Sequence, residues 1–369
     1  LRKLPAGLLV DHVSAPAAPR DRVFHTLDAL RGIAAMGVVV FHWQEFFAPV
    51  AAPGGYLAVD LFFMMSGVVL AHAYERRFAA GMTTLKFMRA RFIRLYPLYV
   101  FGTVLGVAVA VASMCGNNTE HWDIAALSSS ILLALLFLPD IFGNADSQLF
   151  PLNIPCWSLF HEIVINAAFA LTWSTLKPRR LIIVSVLTGC ALGAVILHSG
   201  NADQGSNLLT LWKGLLRTTF GFSVGVLIAG FVRRLPRKES NAAVLAVVAI
   251  VLAAMMGRPT EEWRALWDAA CILLLFPVVV LCGTVFDPSP RLLQVSTFLG
   301  LTSYAVYVLH GPMSSILNTA LRRHAVATNS LGGAPYAAAA ILAALLAACW
   351  LIDRYLDLPV RRLLARALP

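Results

Sequence analysis

An all-α fold, a polytopic transmembrane helical bundle, is what this sequence predicts, and three observations carry that reading. Of 369 residues, 59% are hydrophobic and only 13% charged, and the mean hydropathy of +0.75 lies well outside the usage of soluble domains. Apolar runs that span or nearly span recur at 27–48, 56–75, 95–114, 127–142, 157–176, 181–198, 208–231, 241–257, 266–286, 295–317 and 336–357, judged against the roughly 20 residues a crossing needs. Lys and Arg gather in short clusters between the runs, as the positive-inside rule expects. The formal net charge of +10 therefore reads as membrane topology, and no nucleic-acid partner is expected. Six scattered cysteines show no CxxC and no ligand-like spacing, so neither a metal site nor a disulfide scaffold is indicated.

Taken in order, residues 1–24 are rich in Pro and Ala and read as a disordered cytoplasmic tail, not a cleavable signal peptide. Residues 25–366 read as one transmembrane domain. Basic clusters at Arg76–Arg94, Lys177–Arg180, Arg233–Lys238 and Arg361–Arg366 contrast with 49–54, 115–123, 139–156 and 199–207, which contain no Lys or Arg. With the basic clusters inside, both 115–123 and 139–156 lie outside, so the 127–142 run is expected to be re-entrant or interfacial. Ten crossings with both termini cytoplasmic follow. Arg322 and Arg323 fall outside and are the exception to the charge pattern. The alanine-rich Ala337–Ala348 run is a small-residue face suited to close helix packing.

Chemistry collects on a few of these runs. In LDALRGIAAMGVVVFHW, Arg31 and His42 are eleven positions apart, about three turns, so they share a helix face about 16 Å apart in rise. Ionisable groups facing inward in a membrane are costly and default to a functional hypothesis. On the ten-crossing topology, His42, Asp60, Glu162 and Arg217 come from four helices to similar depth in the outer half. A base, two carboxylates and a cation there could form a catalytic chamber; alternatively Asp60 and Glu162 serve only as structural partners of Arg217, and His42 as a hydrogen-bonded structural histidine. His161 is expected to face away from Glu162, and Lys213 to snorkel.

On the inner side KFMRARFIRLYP places Arg91 and Arg94 on one helical face. They are either topology determinants touching lipid phosphates or, with Arg31, a phosphate clamp. FLGLTSYAVYVLHGP sets Ser303, Tyr304, Tyr307 and His310 on one face, where polar contacts between helices are the default.

Several of these segments together resemble the membrane acyltransferase family called acyltransferase 3. The resemblance rests on LDALRGIAAMGVVVFH, an Arg-x10-His pattern at Arg31 and His42, on VDLFFMMSG around Asp60, and on RFIRLYP with Arg91 and Arg94. It continues through PCWSLFHEIVIN with Trp157, Ser158 and Glu162, SYAVYVLH with Tyr304, Tyr307 and His310, and LDLPVRRLL. Met64–Met65, His161 and Asp357 depart from the family's commoner residues.

The resemblance implies transfer of an acyl group, most often acetyl, from cytoplasmic acyl-CoA (acetyl-CoA) to a hydroxyl of an extracytoplasmic glycan or glycolipid. It implies His42 as general base, with Glu162 or Asp60 orienting it, and Arg31, Arg91 and Arg94 on the CoA phosphates. Arg217, Trp157, Tyr304, Tyr307 and His310 are the expected substrate-binding residues. A bacterial inner membrane is the implied location, with membrane lipid as surroundings, and a homo-oligomer is left open. Other readings are a transporter of a glycan or small solute, or the same fold using succinyl-CoA or a non-carbohydrate acceptor.

Overall fold

The structure, a computed structural model, describes residues 23–47, 50–115, 122–142, 147–233, 235–323 and 335–367, apart from the side chains of 320–323 and 335. Almost all of the expected tail, and the side chains of Arg322 and Arg323, lie outside the described residues. The helices are α1 (His25–His42), α2 (Ala58–Ala79), α3 (Thr84–Cys115), α4 (Ile124–Leu135), α5 (Trp157–Thr172), α6 (Pro178–Ser199), α7 (Leu211–Val232) and α8 (Asn241–Met256). They continue as α9 (Glu261–Ala270), α10 (Phe276–Val285), α11 (Pro290–Arg323), α12 (Pro335–Ile352) and α13 (Leu358–Ala367). π-helical turns at Cys271–Leu275 and Asp353–Asp357 join α9 to α10 and α12 to α13.

Among the described residues, eight helical stretches are long and apolar enough to cross a membrane. The other two expected crossings are the shorter helices α1, of 18 residues, and α8, of 16. The only ladder among the described residues pairs Lys238–Glu239 in parallel with Phe286–Asp287.

The 127–142 run is helical over α4 alone, whose 12 residues rise only about 18 Å. Asp123 caps its start by accepting from Ala126 N–H at 2.7 Å. Its last carbonyls, which have no partner inside the helix, accept from side chains of α3: Tyr96 Oη donates to Leu135 O at 2.6 Å and Tyr99 Oη to Ala134 O at 2.7 Å. The chain then turns at Phe137, with φ 57°, and Ser130 Oγ donates to Asp140 Oδ2 at 2.6 Å across the return. The helix thus ends against the flank of α3, as a re-entrant segment does.

Two close helix pairs position the site. In the α2/α7 pair, a Cβ on Gly67 or Gly225 would collide with the facing backbone of Phe222 or Met64, so glycine is what lets the helices touch. The α1/α11 pair is parallel. Arg31 Nη2 lies 3.4 Å from Gly300 O at one level, and His42 meets His310 at the next. The eleven-residue spacing on α1 is matched by ten residues on α11, and two functional levels result.

α11 contains Pro312, which lacks an N–H and so leaves the carbonyl four residues earlier, Val308 O, without its helical partner. Asn153 supplies the missing donor, with Nδ2 3.0 Å from Val308 O. Trp43 Nε1 donates to His310 O at 3.2 Å. The α11 segment around His310 is therefore held from two sides.

Candidate active site

At the first level a cavity of about 140 Å³ is lined by Arg31, Arg91, Arg94, Glu162, Tyr304 and Tyr307, with apolar side chains of α2 between them. Arg91 Nη2 donates to Glu162 Oε1 at 2.7 Å, and Ser66 Oγ donates to the same oxygen at 2.9 Å. Arg31 Nη2 pairs with Asp28 Oδ1 at 2.9 Å. Arg94 has no carboxylate within ion-pair distance among the described residues; its guanidinium lies over the Tyr304 ring, 5.6 Å from the centroid. Tyr304 Oη is spent on Leu95 O at 2.6 Å. The Nε atoms of Arg31 and Arg91 are buried with no hydrogen-bond partner. Buried donors are rarely left unmade, so the cavity has room for an anion that would take up Arg94 and these spare N–H groups.

At the second level a cavity of about 330 Å³ is lined by His42, His310, Trp43, Asn153, Pro155 and Ser314, among others. The tautomers of both rings follow from their neighbours. His310 Nδ1 lies 2.7 Å from Tyr307 O and 3.2 Å from Val306 O. Carbonyl oxygens only accept, so this nitrogen carries the proton and Nε2 of the neutral ring is an acceptor. His42 Nδ1 lies 3.2 Å from that Nε2 and 3.0 Å from Val38 O. Both neighbours are acceptors, so His42 Nδ1 carries its proton too. The lone pair of His42 is left on Nε2, where no protein group among the described residues takes it.

Tyr307, Ser158 and Pro155 stand between the cavities. Ser158 and Tyr307 line the first and Pro155 the second, and Tyr307 Oη is 3.2 Å from Pro155 O. The Tyr307 ring is held edge-on by Phe62 at 5.3 Å. One layer of side chains thus separates the arginines from the imidazoles.

The expected four-residue chamber does not assemble. Glu162 joins the arginine cavity, because Arg91 lies inside the 32-residue α3 and its long side chain reaches the same depth as the second turn of α5. Asp60 pairs with Arg217, both 1% exposed, through Nε–Oδ1 at 3.0 Å and Nη2–Oδ2 at 2.6 Å. Neither carboxylate touches His42; His310 and Val38 O orient it instead. Arg217 was expected to meet substrate, yet its remaining contacts go to Gln204 O at 2.7 Å and Tyr56 O at 3.2 Å. Its guanidinium also covers the Trp157 ring, at 5.5 Å. Trp157 is buried there and lines neither cavity.

His161 is buried between Trp157 O and Leu211 O, away from Glu162. Lys213 reaches Ser199 Oγ at 2.9 Å and Gln204 Oε1 at 3.3 Å. Beside Arg217 lies a second buried carboxylate that the sequence reading missed. Asp268 accepts from Tyr56 Oη at 2.8 and 2.7 Å and from Ala202 N–H at 2.8 Å, tying the 200–207 loop to the bundle.

A model of the acyltransferase domain matches residues 24–354. The chain is 38% identical over 197 residues to protein 2 in the picA locus of Rhizobium radiobacter, an alignment covering 50% of this chain and 98% of that one. It is 28% identical over 262 residues to the exopolysaccharide production protein ExoZ of Rhizobium meliloti (strain 1021), covering 69% and 75%. It is also 28% identical over 331 residues to the acyltransferase MdmB of Streptomyces mycarofaciens, covering 79% of each. No solved structure matches it. The cationic cavity, the imidazole pair and every helix but the last, α13, fall within the matched span, and the chain belongs to the acyltransferase 3 family of membrane acyltransferases.

Proposed function

We propose that the protein transfers an acyl group, acetyl in the simplest case, from acyl-CoA in the arginine cavity to a hydroxyl of a glycan or glycolipid in the imidazole cavity. The observation that carries this reading is the juxtaposition of the two cavities across a single layer of side chains. The first is too small for a whole CoA molecule, so the acyl end of the donor enters it and the remainder extends out past Arg31, Arg91 and Arg94. In the second, His42 Nε2 takes the proton of the acceptor hydroxyl. The imidazolium so formed keeps its Nδ1–H on His310 and Val38 O, the orienting role that a carboxylate has in a hydrolase triad.

Orientation follows from charge. Arg76, Arg180 and Arg233 stand at the ends of helices on the arginine side, and Arg233 pairs with Glu75 there. That end is cytoplasmic under the positive-inside rule and faces the acyl-CoA pool of a bacterial inner membrane. The imidazole cavity then opens outward, where envelope glycans are assembled. ExoZ, a relative named for exopolysaccharide production, supports a saccharide acceptor.

The test is CoA release by purified protein from labelled acetyl-CoA, with and without envelope glycan, together with mass spectrometry of glycans from cells with and without the gene. Glycan-dependent release and a mass increment of one acyl group are expected. Absence of thioester turnover, with solute uptake into proteoliposomes instead, would replace this reading by a transporter.

A further inference from the structure

The layer between the cavities carries two hydroxyls that the steps above leave unused. Ser158 Oγ and Tyr307 Oη are 2.6 Å apart, and each lies 3.2 Å from the carbonyl oxygen of Pro155. Both side chains are buried and both line the arginine cavity, next to Pro155, which lines the imidazole cavity. The pair has two protons and, besides each other, one acceptor, Pro155 O, which also receives the Trp157 backbone N–H. Either hydroxyl can satisfy Pro155 O, so the other proton is committed only to the hydroxyl–hydroxyl bond. It can turn to a new acceptor without orphaning a buried backbone carbonyl, the costly outcome in such a setting. With Ser158 serving Pro155 O, the free donor is Tyr307 Oη–H.

We propose that the Ser158–Tyr307 pair is the site of the donor's acyl carbonyl, with Tyr307 as the hydrogen-bond donor to the oxygen that becomes anionic during transfer. The inference rests on the acyl-CoA reading above and adds to it a catalytic residue on the donor side. A thioester entering past the arginines brings its carbonyl, the last polar atom before the acyl tail, to the Ser158–Tyr307 pair on the side that adjoins the imidazole cavity. The acceptor oxygen forms a bond to the carbonyl carbon while its proton passes to His42 Nε2. The carbonyl π pair moves onto oxygen, which Tyr307 Oη–H stabilises, and Ser158 Oγ–H stays on Pro155 O. Collapse restores the carbonyl and breaks the C–S bond, and the thiolate leaves with the proton held by His42. The products are an ester and a free thiol, and every side chain recovers its starting proton. A pre-aimed neutral donor in a water-poor site is the arrangement that stabilises such an oxyanion most.

Two non-reactive CoA derivatives separate a carbonyl contact from general packing: acetyl-dethia-CoA, in which a methylene replaces the thioester sulfur, and S-ethyl-CoA, which lacks the carbonyl. Tyr307→Phe keeps the ring against Phe62 and leaves Ser158 on Pro155 O. Calorimetry of the full chain in detergent should show acetyl-dethia-CoA weakened by about five- to tenfold while S-ethyl-CoA stays within about twofold. Acyl transfer should fall by roughly 10²-fold. Ser158→Ala leaves Tyr307 as the one hydroxyl of the pair on Pro155 O and should weaken the carbonyl analogue by about threefold, which keeps the test open if Tyr307→Phe folds poorly. Equal changes for the two analogues, or no change for either, would overturn the inference while leaving the donor site intact. Failure of the wild-type chain to bind CoA or either analogue would overturn the donor reading, and this inference with it.

Discussion

In the arginine cavity, charge is concentrated and partly unanswered. Among the described residues, Arg91 is neutralised by Glu162 and Arg31 by Asp28, whereas Arg94 has no carboxylate and lies over the Tyr304 ring, and two buried Nε donors have no partner. In the imidazole cavity no carboxylate among the described residues touches either ring, each Nδ1 proton has a defined place, and what is spare is a lone pair. Spare donors suit capture of an anion; a spare lone pair suits removal of a proton. On the proposed function, binding and proton transfer fall to two chemically unlike compartments, which makes their variants separable.

The largest expected effect falls on the imidazole side. His42→Ala should lower transfer by about 10²- to 10⁴-fold, the range for a lost general base, with the protein folded and inserted as before; product formation in purified protein checks it. Next comes a site in neither cavity. Arg217→Ala leaves Asp60 buried and unpaired, which should cost about 3–5 kcal/mol of stability, read as a lowered Tm in detergent and reduced yield. Conservative exchange there would sharpen the contrast, since neither member of the pair lines either cavity. Arg94→Ala should weaken acyl-CoA by roughly 10- to 100-fold, the loss of one charge-assisted contact, with little change in kcat at saturation. His310→Phe removes one of the two acceptors of His42 Nδ1–H and should lower kcat by about tenfold, the worth of one neutral hydrogen bond, leaving acyl-CoA affinity unchanged.

Much of this was legible in the sequence because it depends on depth along a helix. The spacing of Arg31 and His42 placed them at two levels, and Arg91 with Arg94 fell on one face of α3 as their spacing predicts. Charge alone set the 127–142 run apart from the expected crossings, and its helix, α4, is only 12 residues long. What sequence periodicity does not encode is which neighbour a side chain meets. Glu162, assigned to the imidazole, lies within reach of Arg91 because a long guanidinium arm spans more than a helical turn. Asp60 found Arg217 through a glycine-lined contact of α2 with α7 that no single helix reveals. The pairing of His310 with His42 required knowing that α1 and α11 run parallel. One signal was present and unused: Pro312 inside a helix orphans Val308 O, so a buried donor had to exist nearby, and Asn153 is that donor.

The central claim is the division of labour across the Tyr307 layer, and acyl-CoA binding compared between His42→Ala and Arg94→Ala addresses it most directly. Titration calorimetry in detergent should give a Kd for His42→Ala within about twofold of the unsubstituted protein, since the imidazole holds no part of the donor, against a loss of at least about tenfold for Arg94→Ala. A donor affinity that falls equally in both variants, or falls only in His42→Ala, would contradict the account.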